Sequence, residues 1–357
     1  MPPIQMNLSA HSNPDANLLA TVCELPDLAV FEISGADAIS FLQGQITNDI
    51  AGATIGNARL AGYCTPQGRL LATMVVSHHV LSLPQATTGL RAIIKRDILG
   101  QTIKRLSMFV MRAKAKLSET YCTVRGITLP DTLVPAFESI VGTQLPSAVW
   151  EKIDTPTGTW IAAPSTGVRR WWLISEPEQA HAVENLLQHC TVGHSDNWHA
   201  LDIAEGLPWI EALTQDLFIP QTLNLDLIQG VSFTKGCYPG QEIVARSHYR
   251  GTVKKRMISA QIELDLGAQL SQENNDLDRQ QRIAQLLEQT QPGVDVYDGS
   301  REEQVCGRII NRAQTSCTIH LLLESSFDAV DHNQLRASGQ DGPTLMLATL
   351  PYSVRPV

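Results

Sequence analysis

The 357-residue chain has no lysine or arginine before Arg59. Its start therefore has neither the charged n-region of a secretory signal nor the Arg-rich helix of a mitochondrial transit peptide. No apolar run approaches the roughly 20 residues that a membrane span requires. Both absences predict a cytoplasmic protein with no membrane partner. The seven cysteines are odd in number, widely scattered and without a C-x-x-C pair, a pattern of reduced thiols rather than of a disulfide framework or a structural zinc site. No His/Cys/Asp cluster has ligand spacing, so no metal is expected. Positive charge is also short: 27 Lys and Arg against 36 Asp and Glu leave a net charge of −9. That balance repels DNA, RNA and anionic membranes at long range and confines any such contact to a local patch.

What is present is enough apolar sequence, 43%, to bury the cores of two or three domains. The Asn/Ser/Pro-rich opening reads as a loose tail. Leu28 to Ile33 predicts a strand, with Ser34 as N-cap of a short helix carrying Asp37 in its first turn and ending at Gly44. Leu60–Cys64 and Arg69–Ser77 flank Thr65-Pro66-Gln67-Gly68, a hairpin with a type I turn. Leu90 to Arg105 reads as helical. Met111 to Leu117 alternates apolar residues with Arg112, Lys114 and Lys116, a half-buried strand with a solvated basic face. Arg169 to Ile174 is strand-like, and Ser175 with Glu178 makes a capping box. Leu264 to Pro292 is polar and reads as an exposed loop or insertion; Val305–Ile309 and Thr318–Leu323 beyond it are β-rich. Strand–helix units interleaved with hairpins give an α+β architecture with antiparallel sheets.

Chemistry concentrates between Ser232 and Arg256. Cys237 sits among Lys235, Gly236, Tyr238, Pro239 and Gly240, ahead of a helix starting near Gly240 or Gln241. A helix N-terminus and the nearby Lys235 should favour the thiolate. Glu242 and Arg246 are spaced for an i,i+4 ion pair. Arg246, His248, Arg250, Lys254, Lys255 and Arg256 form a basic run able to bind phosphate, a polyglutamate tail or RNA, or else to stay a solvated surface. A cysteine hydrolase using Cys237 with a histidine base is a second class, though nothing fixes the pairing. A further helix, Ser195 to Glu205, places Trp198, Asp202 and Glu205 on one face. That face is either an aromatic platform with carboxylates for a flat heterocycle, or a Trp anchor beside two solvated acids.

Lys235-Gly236-Cys237-Tyr238-Pro239-Gly240-Gln241-Glu242, continuing into Val244-Ala245-Arg246 and Arg250-Gly251, resembles the K-G-C-[FY]-x-G-Q-E signature of the YgfZ family, folate-binding proteins related to the aminomethyltransferase of the glycine cleavage system. Ser34–Asp37, Phe41–Gln45, Thr47–Asp49, Pro66–Arg69, Phe218–Gln221, Asn224-Leu225 and Leu350–Ser353 extend the likeness. The resemblance implies a three-domain, ring-like α+β fold of the aminomethyltransferase type. Residues 21–256 would form a folate-binding region of two subdomains after a tail at 1–20, and 257–357 a small C-terminal β-barrel with a polar insertion at about 268–292.

It also implies tetrahydrofolate or a derivative as ligand and a role in assembly or repair of iron-sulfur enzymes, including tRNA-modifying ones. Partners would then be the reduced folate and iron-sulfur enzymes or cluster-assembly proteins, with direct tRNA contact a further option. By resemblance Cys237, Lys235, Gln241, Glu242 and Arg246 carry the chemistry, and Trp198, Asp202, Glu205 and Arg250 face the folate. Two departures accompany it. Leu28 stands where the family has a second tryptophan, and Glu205 lies one position after the family's glutamate, which rotates a helical side chain by about 100°. Aminomethyltransferases carry paired aspartates shortly after the hairpin glycine. Here Gly68 is followed by Arg69-Leu70-Leu71-Ala72-Thr73, so that transfer is expected to be absent and the protein to be an accessory factor rather than an enzyme in its own right.

Overall fold

The computed structural model describes residues 19–81, 87–249, 253–264, 274–301 and 304–355. The chain divides into two compact units, one of the segment up to Pro26 with Tyr121–Ser195, the other of Asp27–Thr120 with Asp196–Val357. The expected N-terminal tail falls almost wholly outside the described residues.

The larger unit holds two antiparallel sheets. One has five strands, ordered Ala58–Cys64, Leu70–Leu81, Thr87–Lys95, Leu28–Ser34, Lys116–Glu119. Its first two strands are the expected hairpin, closed by Gly68 N–H donating to Thr65 O at 2.9 Å. Its interior is Val30, Phe31, Ile33, Leu60, Met74, Val75 and Ile93, each at most 1% exposed. The second sheet has six strands, Leu335–Ala337, Asp295–Asp298, Val305–Gln314, Thr318–Ser326, Lys255–Glu263 and Met346–Ala348, in that order. It is the curled half-barrel of the C-terminal third. The smaller unit is built on another six-stranded sheet, with its one parallel pairing between Ala20–Glu24 and Cys190–Val192. Four of the chain's six tryptophans are buried there; Trp160 meets Phe137 and Trp171 edge to face, and Trp150 stacks on Trp172 at 6.1 Å.

Several local expectations need correction. Leu90–Arg105 is no single helix: Thr87–Lys95 is a central strand and the helix is Arg96–Ser107. Ile93 and Ile94 are β-branched and buried between neighbouring strands, and such residues lose little by extending. Ser34 ends its strand, and the helix Ala38–Gln43 begins after Asp37. The Asp37 carboxylate instead accepts the Lys114 N–H at 2.7 Å. Only Lys116 and Leu117 of the alternating stretch are strand, at the start of Lys116–Glu119, and Met111 takes a left-handed φ of 43°. The capping box is Glu176 with Gln179, one residue beyond the expected pair. Within the polar stretch, Asn274–Gln289 is helical, with Ile283, Leu286 and Leu287 packed on the C-terminal core; their 3–4 spacing is an amphipathic stripe among glutamines.

Candidate thiol-loop site

The loop carrying Cys237 is a backbone without regular structure whose position is fixed by groups far away in sequence. Thr47, fully buried, donates its hydroxyl to Gly230 O at 2.6 Å and accepts Gly62 N–H. Asn48 Nδ2 donates to Leu60 O and Gln229 O, and Ser232 N–H donates to Thr47 O. The chain thus enters the loop bound to the hairpin strand Ala58–Cys64. Upstream, Asn224 adopts φ 57°, a conformation asparagine tolerates better than most residues, and donates to Met257 O. Gln221 Nε2 donates to Val244 O, tying the helix Gln241–Tyr249 back to the same segment.

Lys235 is half-buried and meets carbonyls rather than a carboxylate partner. Its ammonium donates to Gln43 O and to Ile46 O, at and just past the C-terminal end of the short helix Ala38–Gln43, and lies 5.1 Å from the centre of the Tyr238 ring. The negative end of a helix suits a cation. Burial lowers the Lys235 pKa to about 8, and the Asp49 charge only partly offsets this. Tyr238 is 7% exposed and its hydroxyl pKa is pushed up, first by burial and then by the neighbouring Cys64. On the exit side Gly240, at φ +81°, lies so close to the hairpin turn that a Cβ would stand 2.5 Å from Thr65 O and 2.6 Å from Gly68 Cα. Between these two anchors Cys237 is exposed.

Gln241 begins the following helix, its N–H donating to Tyr238 O. Glu242 and Arg246 are both exposed and form no ion pair among the described residues; a solvated i,i+4 pair gains only about 0.3–0.5 kcal/mol, too little to hold two long side chains. Arg250 and the side chain of His248 lie outside the described residues, and no described hydrogen bond joins a histidine to Cys237. The basic run is not one free patch. Arg256 forks onto Asp226 at 2.6 and 3.0 Å and donates to Gln221 O, while Lys255 lies 3.9 Å from Glu324. Local carboxylates in an acidic chain capture these cations. Among the described residues no group of three His, Cys, Asp or Glu could hold a metal.

The helix Ser195–Ala204 forms as expected, but its face is interior. Trp198 is 1% exposed, Asp202 2% and Glu205 9%. The acids are therefore buried, not solvated, and the indole is enclosed rather than open for stacking. Asp202 accepts Trp209 Nε1–H at 3.1 Å and lies 3.8 Å from His199 Nδ1, whose other nitrogen contacts Asp27 at 3.1 Å. Asp27 also takes Lys95 at 2.8 Å, and Lys95 lies 3.2 Å from Glu211. Burial alone would lower the His199 pKa, yet the Asp202 and Asp27 carboxylates outweigh it and raise it to about 9. The sequence reading missed this network; the one signal was Asp202 three residues after His199, because Asp27 and Lys95 join only through the sheet. Thr47, Asn48, Gln221 and Asn224 lay within recognised motifs, but their role was illegible because they bind backbone groups, some more than 180 residues away.

No protein-family model matches the chain. Its fold is that of the glycine cleavage system aminomethyltransferase T from Bartonella henselae, with a TM-score of 0.63 at 12% identity over 94% of this chain and 86% of that one. The tRNA-modifying protein YgfZ of Hamiltonella defensa is 32% identical over 262 residues, 71% of this chain and 74% of the relative. That of Yersinia pseudotuberculosis is 32% identical over 247 residues, 68% of this chain and 71% of the relative. At 32% identity over more than two thirds of both chains, the chain belongs to the YgfZ family.

Proposed function

We propose that this protein is a cytoplasmic accessory factor for iron-sulfur enzymes, tRNA-modifying ones among them, in which Cys237 is the working thiol and a reduced folate is the small-molecule ligand. The placement of Cys237 carries the reading. It is exposed on a loop held on one side by Lys235 and on the other by Gly240 against Gly68. Burial pushes the thiols of Cys64 to about 12 and of Cys23 and Cys190 to about 11. These are core fillers, whereas Cys237 is in reach of a partner's sulfur or metal. A fixed, accessible thiol suits sulfur or cluster chemistry on a second protein. The name borne by the relatives supports the link to tRNA modification, and the signature around Cys237 supports the iron-sulfur part.

The fold shared with an aminomethyltransferase supports the folate part, but the Trp198 face does not fit the ligand as it stands. Its indole is enclosed, Asp202 already accepts from Trp209, and Leu28, where the family has its second tryptophan, is fully buried. Calorimetry with tetrahydrofolate should give an affinity about tenfold weaker than that of a relative with both tryptophans, one aromatic contact being worth about 0.5–1.5 kcal/mol. Absence of any heat would remove folate from the reading. Aminomethyl transfer is not favoured. After Gly68, Arg69 donates to Leu217 O and the Thr73 hydroxyl is bound between Pro208 O and Ile210 N–H, and none of Arg69-Leu70-Leu71-Ala72-Thr73 carries the carboxylate that would assist the folate nitrogen.

In a strain lacking the gene, Cys237→Ala and Cys237→Ser should each leave iron-sulfur enzyme activity at the level of the empty vector, while the purified variants melt like the parent. Restoration equal to wild type by Cys237→Ala would make the thiol structural.

A further inference from the structure

We propose that the loop 107–116 is a docking site for a protein partner that presents acidic residues around an apolar anchor. The sequence from Lys104 to Lys116 holds five cations and no Asp or Glu in a chain of net charge −9. At the tip Met108 is 65% exposed, Phe109 48% and Met111 88%. Lys104, Arg112, Lys114 and Lys116 surround them in sequence and are exposed. Among the described residues no carboxylate side chain pairs with these four, in contrast to Arg256 and Lys255.

The loop is held in shape. Its N–H groups close onto Arg105 O, Leu106 O, Ser107 O and Val110 O. Met111 keeps a φ of 43°, which L residues avoid. Lys114 is clamped at both backbone groups by Asp37, and Gly35 lies against Lys114 O with no room for a Cβ. A preshaped loop tipped with apolar side chains keeps them in water only at a cost, and such patches rimmed by charge mark sites of association. Methionine, aromatic and arginine side chains are the types enriched where proteins meet, and methionine repacks to fit its partner. The cations select acidic partners and speed encounter. RNA fits less well, since only Phe109 offers a ring for base stacking, and a bilayer less well too, since only Met108, Phe109 and Met111 are there to insert among lipid chains.

The position ties the loop to the thiol. Asp37, which clamps Lys114, starts the helix Ala38–Gln43, and Gln43 O and Ile46 O at and beyond its other end hold Lys235. Six residues of helix span about 9 Å, so one short helix joins the residue that clamps the loop to the carbonyls that hold Lys235, two residues before Cys237. Any use of the docked partner at Cys237 rests on the accessory-factor reading; the docking itself does not.

Selection of a phage-displayed random peptide library on the full chain, followed by fluorescence anisotropy of the selected peptides, tests it without folate or any iron-sulfur enzyme. The parent should enrich peptides with Asp or Glu flanking Phe, Leu or Met. The triple variant Met111→Asp/Arg112→Glu/Lys114→Glu, changed at exposed positions and checked by its melting curve, should bind them at least tenfold more weakly. Equal binding by both proteins, or no such enrichment, overturns the proposal. So does binding of bulk tRNA or phosphatidylglycerol vesicles through these residues when no peptide binds.

Discussion

Replacing His199 by glutamine should destabilise the unit Asp27–Thr120 with Asp196–Val357 by about 3 kcal/mol, the lower end of what breaking a buried ion pair costs. Asp27 keeps Lys95 and is about one-third exposed, which moderates the loss, but Asp202 is buried and would lose the cation beside it. Melting should fall by roughly 6–12 °C for a unit of this size. The pH dependence gives a second reading with a definite sign. The folded state holds the His199 proton with a pKa of about 9 against 6.5 for an ordinary imidazole. The stabilisation is therefore complete below pH 6.5 and lost as pH rises toward 9. Lys235 acts oppositely: with its pKa lowered to about 8, the unfolded chain binds that proton more tightly and stability rises with pH between 8 and 10.5. The clean window is pH 6.5–8, where parent stability measured in urea should decline and the slope should flatten in His199→Gln. An unchanged slope would mean that His199 is neutral in the fold.

Gly240→Ala should disable the protein without unfolding it. At φ +81° an L residue loses about 1–2 kcal/mol, and the added Cβ would meet Thr65 O at 2.5 Å and Gly68 Cα at 2.6 Å. Both obstacles are backbone, so a side-chain rotation cannot relieve them; forcing atoms into such a site costs about 1–3 kcal/mol more. Gly68 is itself at φ +74° in the turn that closes the hairpin, its N–H bound to Thr65 O. The loop is the softer partner and should move away from the hairpin, carrying Cys237 with it. The expected result is a modest fall in melting temperature, an altered rate of Cys237 alkylation and complementation as poor as that of Cys237→Ala. Normal complementation would show that the thiol needs no fixed position.

Local chemistry was readable where neighbours in sequence are neighbours in space. The hairpin around Thr65–Gly68 and the helices Ser195–Ala204 and Gln241–Tyr249 follow from turn residues and caps, and Cys237 stood out as a thiol without a packing role. The misreadings share a cause. Leu90–Lys95 looked helical because its burial between two strands is not written in its own residues, and the glutamine-rich stretch looked like loop because its apolar stripe gains only from a distant sheet. The Trp198 face was placed on the right helix yet turned inward, because Trp209, His199 and Asp27 receive it.

By itself the sequence determined the α+β class, the thiol loop and the family signature, all set by spacing over a few residues. Only the tertiary structure decided that Lys235 anchors that loop to a helix end, that Gly240 and Gly68 meet backbone to backbone, that Arg256 is consumed by Asp226, and that Lys104, Arg112, Lys114 and Lys116 pair with no carboxylate among the described residues. Each depends on groups tens to nearly two hundred residues apart, and what a charged or polar side chain does is set by the partner that folding brings to it.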